Sequence, residues 1–327
     1  SLLTSNGDEW AERRHLFQPT FHRKVVEGFE TIMRDEADAL VKQWQGREKV
    51  QADSAMMTVT FRVVARALFG SDLPDEIVHS LEQPIGTVLE ETFARHGTFI
   101  GRKTRRFQSA MHDLDTAVAE VLARAEPSGE SPDLLTVMRS AQNSEQDIRN
   151  EAITFLLAGH ETTANALTWL LAYLAHDPAE QERCATDPEA LDRAIQETLR
   201  ISPPIWIIER KALAADEVAG FTIPRGASVV VCPYTVHRHP DFWERPEEFD
   251  PSRFAQKPPA AYLPFGLGPR LCIGREFSLM EARIIASAIL QSFEVVPAKP
   301  EFPATRPGIT LRAEGGVPLI LRPRGTS

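Results

Sequence analysis

A lone cysteine near the end of the chain has the neighbours expected of a metal ligand. Cys272 follows a glycine-rich stretch, with Arg270 two residues before it and Gly274 two residues after it. A helical pattern begins directly afterwards, and a helix N-terminus stabilises the thiolate, the form of cysteine that binds metals. Glycines let the backbone pass close to a flat ligand, and a guanidinium group pairs well with a carboxylate. A haem meets both requirements, because it has a flat face and propionate carboxylates.

Other kinds of site fit this stretch less well. The chain has only three cysteines and no Cys-x-x-Cys pair, which argues against a closed zinc site. Gly266 and Gly268 begin like a dinucleotide-binding loop, but the third glycine of that fingerprint would fall on Leu271. The simple alternative, in which Cys272 is a small buried hydrophobic residue, stays open on the residues alone.

The stretch resembles the haem-binding loop of the cytochrome P-450 family, Phe-x-x-Gly-x-Arg-x-Cys-x-Gly. All five fixed positions are present, namely Phe265, Gly268, Arg270, Cys272 and Gly274. The resemblance implies that Cys272 is the axial ligand of the iron in heme b (iron protoporphyrin IX). It also implies that Arg270 binds a propionate and that the rest of the loop contacts the haem.

A second unusual stretch, Ala158 to Thr163, lies in the middle of a long helical pattern. Glycine and adjacent threonines are poor helix formers, and a break in a Leu- and Ala-rich helix predicts a functional site. Gly159 could admit a ligand, and Glu161 with Thr162 could deliver protons. The alternative is a packing glycine with threonines bonded to their own helix. The stretch resembles the family's oxygen-activating motif, which implies that Thr162 takes part in dioxygen activation and that Ala158 lies against the haem.

Further propionate ligands are implied by the same resemblance. Trp10 and Arg14 match the family's Trp-x-x-x-Arg and would share one helical face. Arg210 lies seven residues after Pro203, where the family often has another propionate-binding arginine.

Three charged residues match a structural signature of the family. Glu197 and Arg200 match Glu-x-x-Arg, and Arg253 belongs to a match for Pro-x-Arg-Phe. The resemblance implies a buried network of the three beneath the haem loop. On the residues alone, Glu197 and Arg200 could equally be a solvated pair that contributes little to stability. His237 and His239 are expected to be loop residues without a metal role.

These residues need a mainly helical scaffold. Asp8 is expected to cap a helix that ends near Pro19, and Ser144 with Asp147 to cap a long helix ending at His176. Further helices are predicted over 29–44, 56–69, 75–95, 104–125, 188–201 and 275–293, with a linker-like loop over 126–132. Two hairpins are predicted, one joining 218–223 to 227–233 and one joining 309–312 to 317–321. The fold class is therefore mainly α with small β-sheets. The resemblance implies the same, namely the cytochrome P-450 fold as one catalytic domain over 1–327.

Composition, net charge and cysteine count limit the possible partners and the cellular compartment. The chain has 327 residues, is 43% hydrophobic and carries a net charge of −10, so nucleic acid is a poor partner. Sparse cysteines suit a reducing compartment, and no signal peptide or membrane anchor is visible, which together predict the cytoplasm. Because the family usually has more sequence ahead of this point, the N-terminal quarter of the domain is expected to be missing.

The resemblance implies a monooxygenase of bacterial type that inserts one atom of O2 into an apolar small molecule. Electrons would come from a separate ferredoxin- or flavodoxin-type partner, for which the candidate docking residues are Arg13, Arg23 and Lys24. Candidate walls of the substrate pocket are Phe155, Ala158 and Ile205–Ile207. Two alternatives remain: a relative that rearranges hydroperoxides, and a haem-binding fragment without turnover.

Overall fold

The computed structural model describes residues 1–70, 74–96, 104–124, 134–140 and 144–325. Within these ranges the α-helices are α1 Gly7–Phe17, α2 Arg23–Val26, α3 Glu30–Trp44, α4 Ala52–Phe69, α5 Asp75–His96, α6 Arg105–Arg124, α7 Leu134–Ser140, α8 Glu145–His176, α9 Pro178–Thr186, α10 Pro188–Ile201, α11 Pro233–Val236 and α12 Arg275–Ser292. The strands are β1 Lys49–Gln51, β2 Ile208–Lys211, β3 Asp216–Val218, β4 Phe221–Ile223, β5 Ser228–Val231, β6 Phe293–Pro297, β7 Thr305–Pro307, β8 Leu311–Ala313 and β9 Pro318–Pro323. The predicted fold class is confirmed, and the predicted loop over 126–132 lies outside the described residues.

Most predicted helices are confirmed to within a few residues, because their ends carry clear local signals. Ser144 caps α8, its side chain accepting a hydrogen bond from the Asp147 N–H at 3.1 Å. Gly70 ends α4 with φ of 108°, a conformation that side-chain-bearing residues rarely adopt. The predicted cap at Asp8 is wrong. Helix α1 already begins at Gly7, so Asp8 lies in its first turn and interacts with the helix dipole instead.

Helix α8 runs through the middle of the core. Its N-terminal half shares an apolar cluster with α4, α5 and α6, and its C-terminal half shares another with α3, α4, α10 and α12. Trp169, fully buried, donates a hydrogen bond from its indole N–H to Leu311 O at 3.0 Å. The stretch from Ala158 to Thr163 therefore lies where the two halves of the core meet, in a helix that continues without interruption.

The first predicted hairpin is wrong in its pairing. The chain turns earlier, at Ala219 and Gly220, whose φ values of 51° and 83° form the tight turn between β3 and β4. Strand β5 pairs with β2 instead, with Arg210 opposite Val229. The Pro224–Gly226 signal thus marks a crossing from one sheet to another.

The second predicted hairpin is also wrong. Strand β8 pairs with β7, whereas β9 lies between β1 and β6 in a three-stranded antiparallel sheet. At the turn, Asp53 of α4 accepts a hydrogen bond from the Val317 N–H at 2.9 Å. A Cβ on Gly316 would lie 2.6 Å from Asp53 Oδ1. This contact with α4 directs the chain away from β8. Within the described ranges, every helix is too short or too polar to span a bilayer.

Candidate functional site

The loop before α12 presents the Cys272 thiol at an accessible position. The Cys272 N–H donates to Phe265 O at 3.0 Å, which closes the loop at its base. Gly268 has φ of 72° and starts a short 3-10 turn ending at Arg270, so a side chain there would be strained. Gly274 has an ordinary φ of −85° and serves as the N-cap of α12. The predicted ligand is thus held at the start of a helix.

The surroundings of Cys272 act on its charge in opposite directions. Burial by the surrounding protein is the largest influence and raises the pKa of the thiol, although one side is accessible. A hydrogen bond from the Gly274 N–H and the positive charges of Arg14 and Arg275 lower that pKa. A bound metal cation deprotonates a coordinating thiol outright. The loop therefore offers a thiol that a metal can convert to thiolate.

The four predicted propionate ligands gather beside this loop. The Arg270 guanidinium lies 4.3 Å from the centre of the Trp10 ring, and Arg14 donates to Leu271 O at 2.8 Å. Burial and the nearby charge of Arg210 lower the pKa of Arg270. None of the three arginines forms an ion pair with a carboxylate among the described residues.

This cluster fits a haem. Like charges brought together without an anion repel one another, and the two propionates of a haem would supply the missing carboxylates. The accessible Cys272 thiol lies next to the same cluster and would supply the ligand to iron. Elsewhere in the described part of the chain, no group of three or more His, Cys, Asp and Glu side chains is placed to hold a metal.

The centre of α8 divides into an accessible side and a buried side. Ala158 is exposed although most of the helix around it is buried, and Thr162 is half-buried. The Thr162 hydroxyl donates to Ala158 O at 3.1 Å, as in the alternative reading of this stretch, and the helix continues without interruption. Gly159 packs against α4, since a Cβ at this position would lie 3.1 Å from Val64 Cγ2, and this contact supports the alternative of a packing glycine. The absence of a side chain at Gly159 therefore lets α4 approach α8 closely.

Glu161 is directed away from Thr162, toward β8. It is 2% exposed and accepts hydrogen bonds from Arg312 Nε at 2.9 Å and from the Thr310 hydroxyl at 2.6 Å. Asn165 donates to the same Thr310 hydroxyl at 3.0 Å. The side chains of Glu161 and Thr162 therefore have different hydrogen-bond partners in this structure. Arg312 and Thr310 were missed because no sequence pattern connects them with α8.

Glu281 is a further residue that the sequence did not indicate. It lies on α12 with 0% exposure, and neither carboxylate oxygen has a hydrogen-bond partner within the described residues. Burial raises its pKa well above the ordinary value, and the nearby Thr163 hydroxyl offsets this only in part. A neutral acid is thus buried between α12 and α8. Its one sequence signal is a glutamate on an otherwise apolar helix face.

The predicted network beneath the loop is confirmed. Glu197 and Arg200 are both fully buried and joined by two hydrogen bonds, at 2.7 and 2.8 Å. Arg253 Nε lies 3.3 Å from Glu197 Oε1. Arg200 also donates to the backbone oxygens of His237, Pro246 and Glu248. The network ties α10 to the segment that leads into the Cys272 loop.

Two predicted surface roles change. The prediction that Arg13 docks a redox partner is wrong, because its guanidinium forms ion pairs with Glu9, Asp147 and Glu151. Phe155 is 9% exposed and packs edge-on to Phe17 in the core, so it contributes little pocket wall.

Three other predicted residues are accessible. Arg23 is exposed, with its guanidinium 3.2 Å from Glu27, and Lys24 is exposed beside it. Ile207 is 41% exposed and remains a candidate wall of a pocket.

Comparisons with known proteins agree with this geometry. A sequence model of the family described as Cytochrome P450 matches residues 1–317. A putative cytochrome P450 132 of Mycobacterium tuberculosis is 34% identical over 99% of this chain and 80% of its own length. A cyclooctatin synthase of Streptomyces melanosporofaciens is 30% identical over 99% of this chain and 78% of its own length.

Solved structures show the same relationship. A 6-coordinated cytochrome P450 from Thermus thermophilus superposes with a TM-score of 0.82 at 33% identity, covering 99% of this chain and 83% of its own. The haem domain of cytochrome P450DA superposes with a TM-score of 0.88 at 25% identity, covering 99% of this chain and 80% of its own. Family, fold and loop geometry agree, and the chain belongs to the cytochrome P450 family of haem-dependent monooxygenases.

Proposed function

We propose that this chain binds heme b with Cys272 as the axial ligand and oxidises an apolar small molecule with O2. The observation that carries the proposal is the accessible Cys272 thiol beside Arg14, Arg210 and Arg270, arginines without a carboxylate partner among the described residues. When bound, the haem supplies the redox-active iron at which oxygen chemistry takes place. The protein determines the position of the haem, the charges around it and the route by which protons reach it.

The binding residues divide into two groups. The side chains that would hold the two propionates are Trp10, Arg14, Arg210 and Arg270, which provide one indole and several guanidinium donors. The residues that would lie against the flat faces are Ala158, Phe265, Gly268 and Gly274. Small residues at three of these four positions allow close approach of backbone to a planar ring.

Thr162 would hold a proton at its Oγ1 on the accessible side of α8. That hydroxyl now donates to Ala158 O, and rotation of one bond directs the hydrogen toward the open side. Glu161 would be the next acid in the route, but its carboxylate is bound by Arg312 and Thr310. It can pass a proton to Thr162 only after releasing Arg312.

The substrate would contact apolar surface near Ala158 and the exposed Ile207, with Ile205 beside it. Electrons would come from a separate ferredoxin- or flavodoxin-type protein, and Arg23 with Lys24 are accessible cations for docking an acidic partner. We infer that the enzyme works in the cytoplasm and that residues 1–327 belong to a single catalytic domain.

A spectrum of the reduced, CO-bound protein tests the assignment of the ligand. Thiolate-ligated haem gives a strongly red-shifted Soret band, which Cys272→Ala should abolish. Cys232→Ala is the matched control, because Cys232 is a second, partly accessible free thiol, which donates to Trp206 O at 3.2 Å. A red-shifted band that survives Cys272→Ala would refute the proposal. NAD(P)H use through a redox partner, coupled to product, distinguishes a monooxygenase from a relative that rearranges hydroperoxides.

A further inference from the structure

A buried histidine connects α10 with the segment that leads into the Cys272 loop. His237 is 0% exposed, with Nδ1 3.0 Å from Arg200 O and Nε2 2.7 Å from Leu263 N. The Leu263 N–H can only donate, so Nε2 must be the unprotonated, accepting nitrogen. The proton is then on Nδ1, which donates to Arg200 O. Both ring nitrogens are satisfied by backbone groups of two separate elements.

The bond to Leu263 continues into the loop. Leu263 O accepts from the Gly266 N–H at 3.1 Å, and Phe265 O accepts from the Cys272 N–H at 3.0 Å. Pro264 lies between them and has no N–H to offer. The imidazole thus fixes the Leu263 N–H at the start of this turn. Phe265, two residues further along, provides the carbonyl that closes the loop on Cys272.

The surroundings keep this imidazole neutral. Burial is the main cause that lowers the pKa of His237 to about 4, and the charges of Arg200 and Arg238 lower it further. The Tyr262 ring lies 5.5 Å and the Trp243 ring 6.3 Å from the imidazole, centre to centre. Burial also raises the pKa of Tyr262, which therefore stays uncharged. At neutral pH Nε2 is available as an acceptor.

We propose that His237 is a positioning residue for Cys272, and that its hydrogen bond from the Leu263 N–H sets the orientation of the loop presenting the thiolate. The inference rests on the proposed role of Cys272 as iron ligand. Tyr262 ties the same segment to α10 by donating from its hydroxyl to Gln196 O at 3.0 Å. The bond to Gln196 holds the side chain of Tyr262. His237 instead binds the main-chain N–H of Leu263 and so controls the plane of that peptide directly.

The test compares two variants that separate the two ring nitrogens. His237→Asn keeps an amide near the position of Nδ1 but has nothing that reaches Leu263. His237→Gln reaches further and places an amide oxygen near the position of Nε2. His239→Asn is the control, because His239 is an exposed neighbour on the same segment.

Two measurements are made on each protein. Hydrogen exchange of the Leu263 amide should be slow in the parent and roughly tenfold faster in His237→Asn, as expected for one lost hydrogen bond. The reduced CO spectrum of His237→Asn should show part of the red-shifted band moved to the shorter wavelength of haem without a thiolate. His237→Gln should recover most of the exchange protection and most of the band.

The outcomes separate the role of His237 from the proposed function. A parent that lacks the red-shifted band would refute Cys272 as ligand. A normal parent band together with unchanged exchange and spectrum in His237→Asn would overturn the positioning role. So would a Leu263 amide that exchanges freely in the parent, a result that needs no variant to fold. A purely structural histidine would reduce the yield of haem-loaded protein in both variants without changing the band of what is loaded.

Discussion

Removing the carboxylate of Glu197 should destabilise the protein more than removing a glutamate from almost any other position. Glu197 is 0% exposed and accepts from Arg200 Nε at 2.7 Å, from Arg200 Nη2 at 2.8 Å and from the Asp250 N–H at 2.8 Å. A fourth contact joins it to Arg253 at 3.3 Å. In Glu197→Ala all four donors lose this acceptor, and a buried guanidinium is left without its counter-charge.

The size of the effect follows from what Arg200 keeps. Its bonds to the backbone oxygens of His237, Pro246 and Glu248 survive the substitution, but they carry no compensating charge. Breaking a buried pair by removing one partner typically costs about 3–5 kcal/mol. Since domains are stable by only about 5–15 kcal/mol, we expect little folded, haem-loaded Glu197→Ala protein at ordinary growth temperatures.

The assay is urea unfolding with haem content measured in parallel. Glu189→Ala is the control, because Glu189 lies on the same helix, is 87% exposed and approaches Arg193 only to 3.7 Å. An exposed pair of this kind contributes at most about 1 kcal/mol. Equal unfolding midpoints for the Glu197 and Glu189 variants would refute the reasoning, since they would mean that the buried network is worth no more than a solvated one.

Three further predictions concern α8 and its contacts. Thr162→Ala should keep haem content and CO spectrum but lower the product formed per NAD(P)H, with peroxide released. Thr162→Ser should restore the coupling of NAD(P)H use to product. Equal product yield in the Ala variant would show that the hydroxyl takes no part in proton delivery. Gly159→Val should lower the free energy of unfolding by about 1–3 kcal/mol through overpacking against Val64. In a double-mutant cycle, adding Val64→Ala should recover part of that loss in stability. Strictly additive effects of the two substitutions would contradict the contact. Because burial raises the pKa of Glu281, the folded state keeps that proton to higher pH than the unfolded state, and its contribution to stability is full below the ordinary pKa and lost as pH rises. Glu281→Gln should therefore gain stability over the parent at about pH 8 relative to about pH 5, and a pH-independent difference in unfolding midpoint would be inconsistent with a buried neutral acid.

Local signals were sufficient for the helices and for the loop. Ser144 and Gly70 mark helix ends through short-range hydrogen bonding and φ preference, and the predicted cap at Ser144 and helix end at residue 69 are confirmed. The Cys272 loop is likewise a local motif, since its closing bond spans only seven residues. Information of this kind is readable because the interacting groups lie close together in the sequence.

The errors have the opposite origin. The second predicted hairpin failed because strand pairing is decided by distant partners: β9 lies between β1 and β6. The direction of Glu161 depends on Arg312, and the role of Gly159 depends on Val64 of another helix. No pattern within one segment can report such contacts.

The candidate site draws its parts from opposite ends of the chain, and this has a consequence for its biosynthesis. Arg14 donates to Leu271 O at 2.8 Å and Arg270 donates to Ser5 O at 2.7 Å, across more than 250 intervening positions. A chain still emerging from the ribosome has α1 long before it has the cysteine loop. Contacts this far apart in sequence form late, because loop closure must precede them. A complete site for the cofactor therefore cannot form before the Cys272 loop has been synthesised, because α1 alone supplies only part of it.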